Sequence, residues 1–331
     1  MDGIYISTII LTQILGLVMY LTNVKINKRP LFALIITLGC ILLARDFIAA
    51  RAQLVTFILF VLEILFIESF LEKKKKRYVI GLMLIAMLIA NLHAAVFYFF
   101  FILMLPYIGE YIIAVLKDSN LIYRHMISIT EKKIKKLENI PEKQEKLEEK
   151  KKKLEELKAK SEKYMNVTQK MAENPYKVKI IKRENAKWLI LILILCFAMG
   201  LATPLGDEPY THIFKLMQGN TTDNIAEHQA MILAEHTGAI TVITMLTILL
   251  MFTDTKIKLK DLFMIGGLLV LAVMTRRQFS MLVLIGGISF TDIFGNFTDK
   301  YDKERRRNTY KARSNMGRSY CNSNTYRNLF V

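Results

Sequence analysis

The chain has 331 residues, 53% of them hydrophobic, and a positive mean hydropathy, which is more apolar than a soluble domain of this length needs. A formal charge of +17 would suit nucleic acid on a soluble scaffold, but Lys and Arg cluster between apolar blocks, so topology accounts for the charge and nucleic acid is not an expected partner. Cys40 and Cys196 fall inside apolar blocks and Cys321 in the tail, with no CxxC and no Cys/His cluster, which argues against a disulfide framework or a zinc site.

Nine apolar segments follow in chain order, at roughly 4–22, 31–49, 53–71, 78–92, 96–116, 187–203, 238–253, 261–275 and 278–294. Most approach the roughly 20 residues that cross a bilayer as helix. The first has no basic residue before it and no small-residue cleavage pattern, so it reads as a span rather than a secretory signal. Three short basic loops separate the segments: Lys25, Lys28 and Arg29; Lys73–Arg77; and Lys256, Lys258 and Lys260. Even numbers of segments lie between them, so all three fall on one side, together with the long loop 117–186 and Arg305–Arg307. The positive-inside rule makes that side cytoplasmic, the N-terminus outside and the C-terminus inside.

The expected fold is all-α: a polytopic transmembrane bundle of about nine spans with a cytoplasmic helical hairpin. Residues 1–116 are the first part of the membrane domain, and 117–186 the hairpin, rich in Lys and Glu. Residues 187–295 are the second part, and 296–331 a basic tail of disordered composition. In the hairpin, Ile134, Leu137, Leu147, Leu154 and Leu157 form a thin apolar stripe, and Pro141 predicts two helices joined at a bend. A coiled-coil hairpin and an arm for a cytoplasmic protein partner both fit, and its lysines suit anionic membrane lipids.

With this topology, Arg45, Arg51, Lys215, Arg276 and Arg277 remain outside, as do His93, His212, His228 and His236. Arginine at bilayer depth requires a partner or a water-filled cavity. Arg45 pairs with Asp46 or a helix end, or else binds substrate; Arg51 reaches Glu63 or Glu68 only if its helix bends. His93 is a turn residue or a substrate-positioning group. The vicinal Arg276–Arg277 favours an anionic ligand over interface anchoring, because guanidinium forks bind phosphate oxygens in pairs. Asp207, Glu208 and Glu227 are acid–base candidates, with Thr203–Asp207 reading as a turn at a helix exit. Glu227-His228 and Glu235-His236, eight residues apart, share a helical face. That makes His228, Glu235 and His236 candidate ligands for a divalent metal, the one cofactor the sequence suggests.

Arg51-Ala52-Gln53-Leu54, with the apolar helix ending in Glu68, resembles the "RPQL…LE" stretch of bacterial GT-C-like membrane proteins, which are multi-spanning and glycosyltransferase-like. Asn91-Leu92-His93-Ala94-Ala95 looks like their "NLHGG" turn, Pro204-Leu205-Gly206 is similar to "NPYG", and Arg276-Arg277 resembles a late arginine pair. The resemblance covers about 40–295; alanine replaces both glycines of the turn and, at 52, the proline. It implies transfer of a sugar from a polyprenyl-phosphate donor at the outer face of the cell membrane. Arg51, Arg276, Arg277 and Arg45 would bind the phosphate and His93 would position substrate. The family's first outer loop, with a catalytic Asp, has only Asp2 as its counterpart, so the resemblance implies an N-terminally truncated chain that is either a working transferase or one left inactive by the loss of that loop. The alternative is a non-enzymatic scaffold or a transporter-like protein that binds an anion or lipid.

Overall fold

The computed structural model describes residues 2–48, 52–117, 119–138, 144–172, 178–204, 206–218, 229–231, 237–252 and 256–298. It is all-helical. Each of the nine apolar segments falls on a helix: α1 (Asp2–Asn27), α2 (Pro30–Leu43), α3 (Ala52–Lys73), α4 (Lys76–Leu92), α5 (Phe97–Lys117), α8 (Lys187–Met199), α10 (Thr237–Phe252), α11 (Leu259–Met274) and α12 (279–298). The other helices are α6 (Ser119–Glu138), α7 (Gln144–Ala172) and α9 (Glu208–Gln218). Among the described residues, four stretches are long and apolar enough to cross a membrane: Gly3–Asn27, Ala52–Lys73, Ala94–Leu116 and Arg276–Thr298. The helices α2, α4, α8, α10 and α11 are apolar but run only 14, 17, 13, 16 and 16 residues.

The central helix is α3. Of its most apolar window 72% is buried, against 11% for α1, whose Ile4, Tyr5, Ile9 and Leu17 face outward. A helix apolar on every face belongs inside a bundle or a bilayer, and α3 is packed by α1, α4 and α5. Phe57, Phe60 and Ile64 of α3 join Leu15 and Met19 of α1, Ile85 and Ile89 of α4, and Phe100 and Leu103 of α5 in one core. Glycines permit close approach between helices: a Cβ at Gly81 of α4 would strike the Phe66 ring, and one at Gly287 of α12 would strike Cys40 Sγ of α2.

Two turns at one end of the bundle hold lysine in the left-handed region, Lys28 (φ 58°) after α1 and Lys74 (φ 47°) after α3. Each closes the preceding helix with a backbone bond, from Lys28 N to Val24 O at 2.8 Å and from Lys74 N to Phe70 O at 2.8 Å. A two-residue parallel bridge, β1 (Val178–Lys179) with β2 (Ile257–Lys258), ties the segment before α8 to the start of α11. Helices α6 and α7 pack on each other, with Ile134 and Leu157 buried and Lys158 Nζ at 3.5 Å from Glu131. Pro141 and the tail beyond 298 lie outside the described residues.

Candidate functional site: a His–Arg couple and a buried ion-pair network

His93 ends α4. Its φ of −153° and ψ of 66° break the helix, and the 3₁₀ turn Ala94–Val96 then leads into α5. The turn is fixed by Asn91, whose Nδ2 donates to Met87 O at 2.8 Å and to Ala202 O at 3.1 Å, joining the exits of α4 and α8. The His93 ring reaches across to α3. Thr56 Oγ1 spends its single proton on Ala52 O at 2.9 Å, so at 3.1 Å from His93 Nδ1 it accepts. The bond network therefore assigns the Nδ1–H tautomer, and the Nε2 lone pair accepts from Arg277 Nη2 at 3.4 Å. Burial, then the charges on Arg277 and His212, hold His93 below the ordinary histidine pKa, so the ring is neutral near pH 7.

Arg277 lies in a 3₁₀ turn, Arg276–Gln278, between α11 and α12. Two backbone bonds brace it, from Met231 N to Val273 O at 3.0 Å and from Arg276 N to Gln229 O at 3.1 Å. Gln53, Thr56, His93, Arg277, Gln278 and Ser280 supply the polar lining of a cavity of about 20 Å³. That volume holds one water or one anionic oxygen. Helix α9 lies alongside the His93 turn, with Tyr210 packed on Phe97 and Phe197 and its hydroxyl donating to Phe197 O.

The remaining predicted residues are scattered. Glu208 is on α9, bonded to Lys215 Nζ and to His212 Nδ1 at 3.3 Å. The Lys215 bond, then His212, holds its carboxyl below the usual range, which makes it a poor proton acceptor. Asp207 is exposed and precedes α9. Arg45 pairs with Asp46 at 3.4 Å, both 78% exposed, which is worth little to stability. Arg276 is half-buried beside Arg277. Arg51, Glu227, His228, Glu235 and His236 lie outside the described residues, and among those described no group of three or more His, Cys, Asp or Glu could hold a metal.

The other end of α3 carries a constellation that loop-by-loop reading of the sequence overlooks. Glu68 accepts from Arg183 Nη1 at 2.7 Å and from Lys260 Nζ at 2.8 Å. Lys260 also lies 3.1 Å from Asp261 Oδ1 and 3.4 Å from Asp292 Oδ2, and Lys258 Nζ contacts both Asp292 oxygens at 2.7 and 2.6 Å. Lys260, Asp261 and Asp292 are buried. Lys25–Glu72, at 2.8 Å, stands at the rim of a polar cavity of about 350 Å³ that Glu68, Arg183, Lys258 and Asp292 also border. The signal was available: three carboxylates inside or beside apolar segments require cations at the same depth.

The chain matches no family model, no curated protein and no solved structure.

Proposed function

We propose that the protein is a multi-pass cell-membrane protein of about nine spans that binds a lipid phosphate at its outer face and acts as a glycosyltransferase with a polyprenyl-phosphate-sugar donor. The observation that carries this reading is the His93–Arg277 couple. Residues 184 positions apart meet at a small polar cavity, at the end of the bundle opposite Lys25, Lys74, Lys258 and Lys260. That separation of basic turns from the couple supports an orientation with the N-terminus outside, and the α6–α7 hairpin and C-terminus in the cytoplasm.

In this reading Arg277, with Arg276 in the same turn, holds the phosphate that leaves as the glycosidic bond breaks, where its developing charge is largest. The cavity admits one phosphate oxygen, and the sugar sits above it. His93, its tautomer fixed by Thr56, turns the Nε2 lone pair toward Arg277; when Arg277 engages the phosphate, that lone pair is released to take the proton of the acceptor hydroxyl or to accept an orienting hydrogen bond from it. Glu208, compensated by Lys215 and His212, is a weaker base than an unpaired carboxylate.

A second reading is favoured by the lining itself: no carboxylate borders the cavity among the described residues. In that case the couple binds lipid phosphate without transferring sugar, and the protein is a scaffold or transporter-like lipid binder. Purified protein in lipid nanodiscs, given a radiolabelled polyprenyl-phosphate sugar together with a cell-envelope extract as the source of acceptor hydroxyls, separates the two. Binding with release of free polyprenyl phosphate supports the transferase, binding without release supports the lipid binder, and no binding refutes both.

A further inference from the structure

Glu63 stands midway along α3, with no exposed surface, and neither carboxylate oxygen has a hydrogen-bond partner among the described residues. The contrast with Glu68, five residues on and bonded by both Arg183 and Lys260, is sharp. The buried Cys196 thiol of α8, a helix packed on α4 and α5, is a titratable group that interacts electrostatically with Glu63. Lys25 of α1, Tyr78 of α4 and Tyr107 of α5 stand lower, where Lys25 bonds Glu72, Tyr78 follows the basic run 73–77, and Tyr107 lies 5.3 Å from Lys260 Nζ. At 1.5 Å per residue, Thr56 is about 10 Å away along the axis and Glu68 about 8 Å.

An unpaired carboxylate anion is too costly in such surroundings, and the group binds a proton instead. An ionisable side chain inside an apolar span is a functional-site candidate, and proton relay is one of the roles such groups serve. The small cavity at Thr56 reaches Phe60, one turn from Glu63, but the larger polar space lies at the Glu68 end. The polar cavity there has about 350 Å³, against about 20 Å³ at Thr56.

We propose that Glu63 is a proton-binding site within the apolar layer, held as the uncharged acid and exchanging its proton with water through the cavity at Glu68. The exchange is balanced: the acid gives a proton to a water molecule, leaving a carboxylate that takes one back. This is independent of the reading of the His93–Arg277 couple.

The test is modification by dicyclohexylcarbodiimide, a lipophilic reagent, of the full chain in lipid nanodiscs. One reagent nitrogen takes the carboxyl proton, the carboxylate oxygen bonds the central carbon, and the acyl group then migrates to nitrogen. Nothing leaves, so the adduct carries the whole reagent mass. Peptide mapping at neutral pH is expected to place the adduct on Glu63 and not on Glu68 or Asp292, whose oxygens are held by Lys and Arg. Within the pH range where the chain stays folded, the yield is expected to fall about tenfold per pH unit past the midpoint of exchange. Glu63→Gln is expected to lose the adduct. If that variant does not fold, mapping on the parent decides alone. A folded parent unlabelled at Glu63, under conditions that label the denatured chain, overturns the site. A yield indifferent to pH overturns the exchange and leaves Glu63 a sealed acid.

Discussion

Thr56 Oγ1 accepts from His93 Nδ1 across 37 residues of chain, and because that hydroxyl donates to Ala52 O it cannot reverse the bond. Thr56→Val removes the acceptor and leaves a half-buried N–H unsatisfied. We expect a loss of about 1–3 kcal/mol in stability, and a shift of the His93 ring toward the Nε2–H tautomer in ¹⁵N spectra. Thr56→Ser keeps the hydroxyl and is expected to preserve the tautomer.

Arg277 is expected to carry anion affinity. Arg277→Ala removes a charge-assisted hydrogen bond, so binding of a polyprenyl-phosphate analogue should weaken by about 1.5–3 kcal/mol, or about ten- to a hundredfold. Arg277→Lys keeps the charge without the fork and should lose less. Equilibrium binding in nanodiscs, at matched expression and thermal stability, measures both; unchanged affinity in a folded Arg277→Ala protein removes the residue from the site.

His93 predicts a pH dependence. Its folded pKa lies below that of the unfolded chain, so between the two values the unfolded chain binds more protons and stability rises with pH. The cost is absent above about pH 6.5, the ordinary histidine value, and grows as pH falls through it. Melting curves of the parent and of His93→Gln should therefore converge in their pH trend above neutrality and diverge in mild acid, the parent falling faster. A bound phosphate reverses one of the causes by neutralising Arg277, so the His93 titration should move upward when the analogue is added.

Lys260 is predicted to be the keystone of the buried ion-pair network, since it contacts Glu68, Asp261 and Asp292 together. Lys260→Met leaves three carboxylates without it and should destabilise by about 3–5 kcal/mol. Denaturant or thermal unfolding measures the loss, and Lys260→Met with Asp261→Asn should recover part of it.

Orientation is open to single-cysteine labelling in a chain whose three native cysteines are replaced. Lys150→Cys should react with an impermeant maleimide only after permeabilisation, and Asn220→Cys without it. Reaction of both from outside would refute the proposed topology.

The helices were legible because a continuous apolar run needs no partner to be recognised, and each of the nine runs lies on a helix. The placement of His93 near Arg277 was legible only as far as the loops: basic turns at one end left both residues at the other, while the ring contact itself depends on how α3, α4 and the α11–α12 turn pack. Lys258 and Lys260 show where the reading stops. Counted by loop they are topological charge, but their side chains run back into the bundle to Glu68 and Asp292, and nothing local in 256–260 announces partners 192 and 34 residues away. Glu63 has the opposite character, because its lack of a partner exists only once the helices around it are assembled.

Lys28 and Lys74 occupy backbone positions where glycine is the residue without penalty, and a side chain there costs about 1–2 kcal/mol. A glycine at each turn would relax the chain while thinning the positive charge of the first two basic turns. The two demands compete at the same residues: conformational ease favours an achiral link, and directional insertion of a hydrophobic hairpin favours a cation. The chain holds the cation at both turns, so under the proposed topology the left-handed geometry of Lys28 and Lys74 is what the positive charge of those turns costs the backbone.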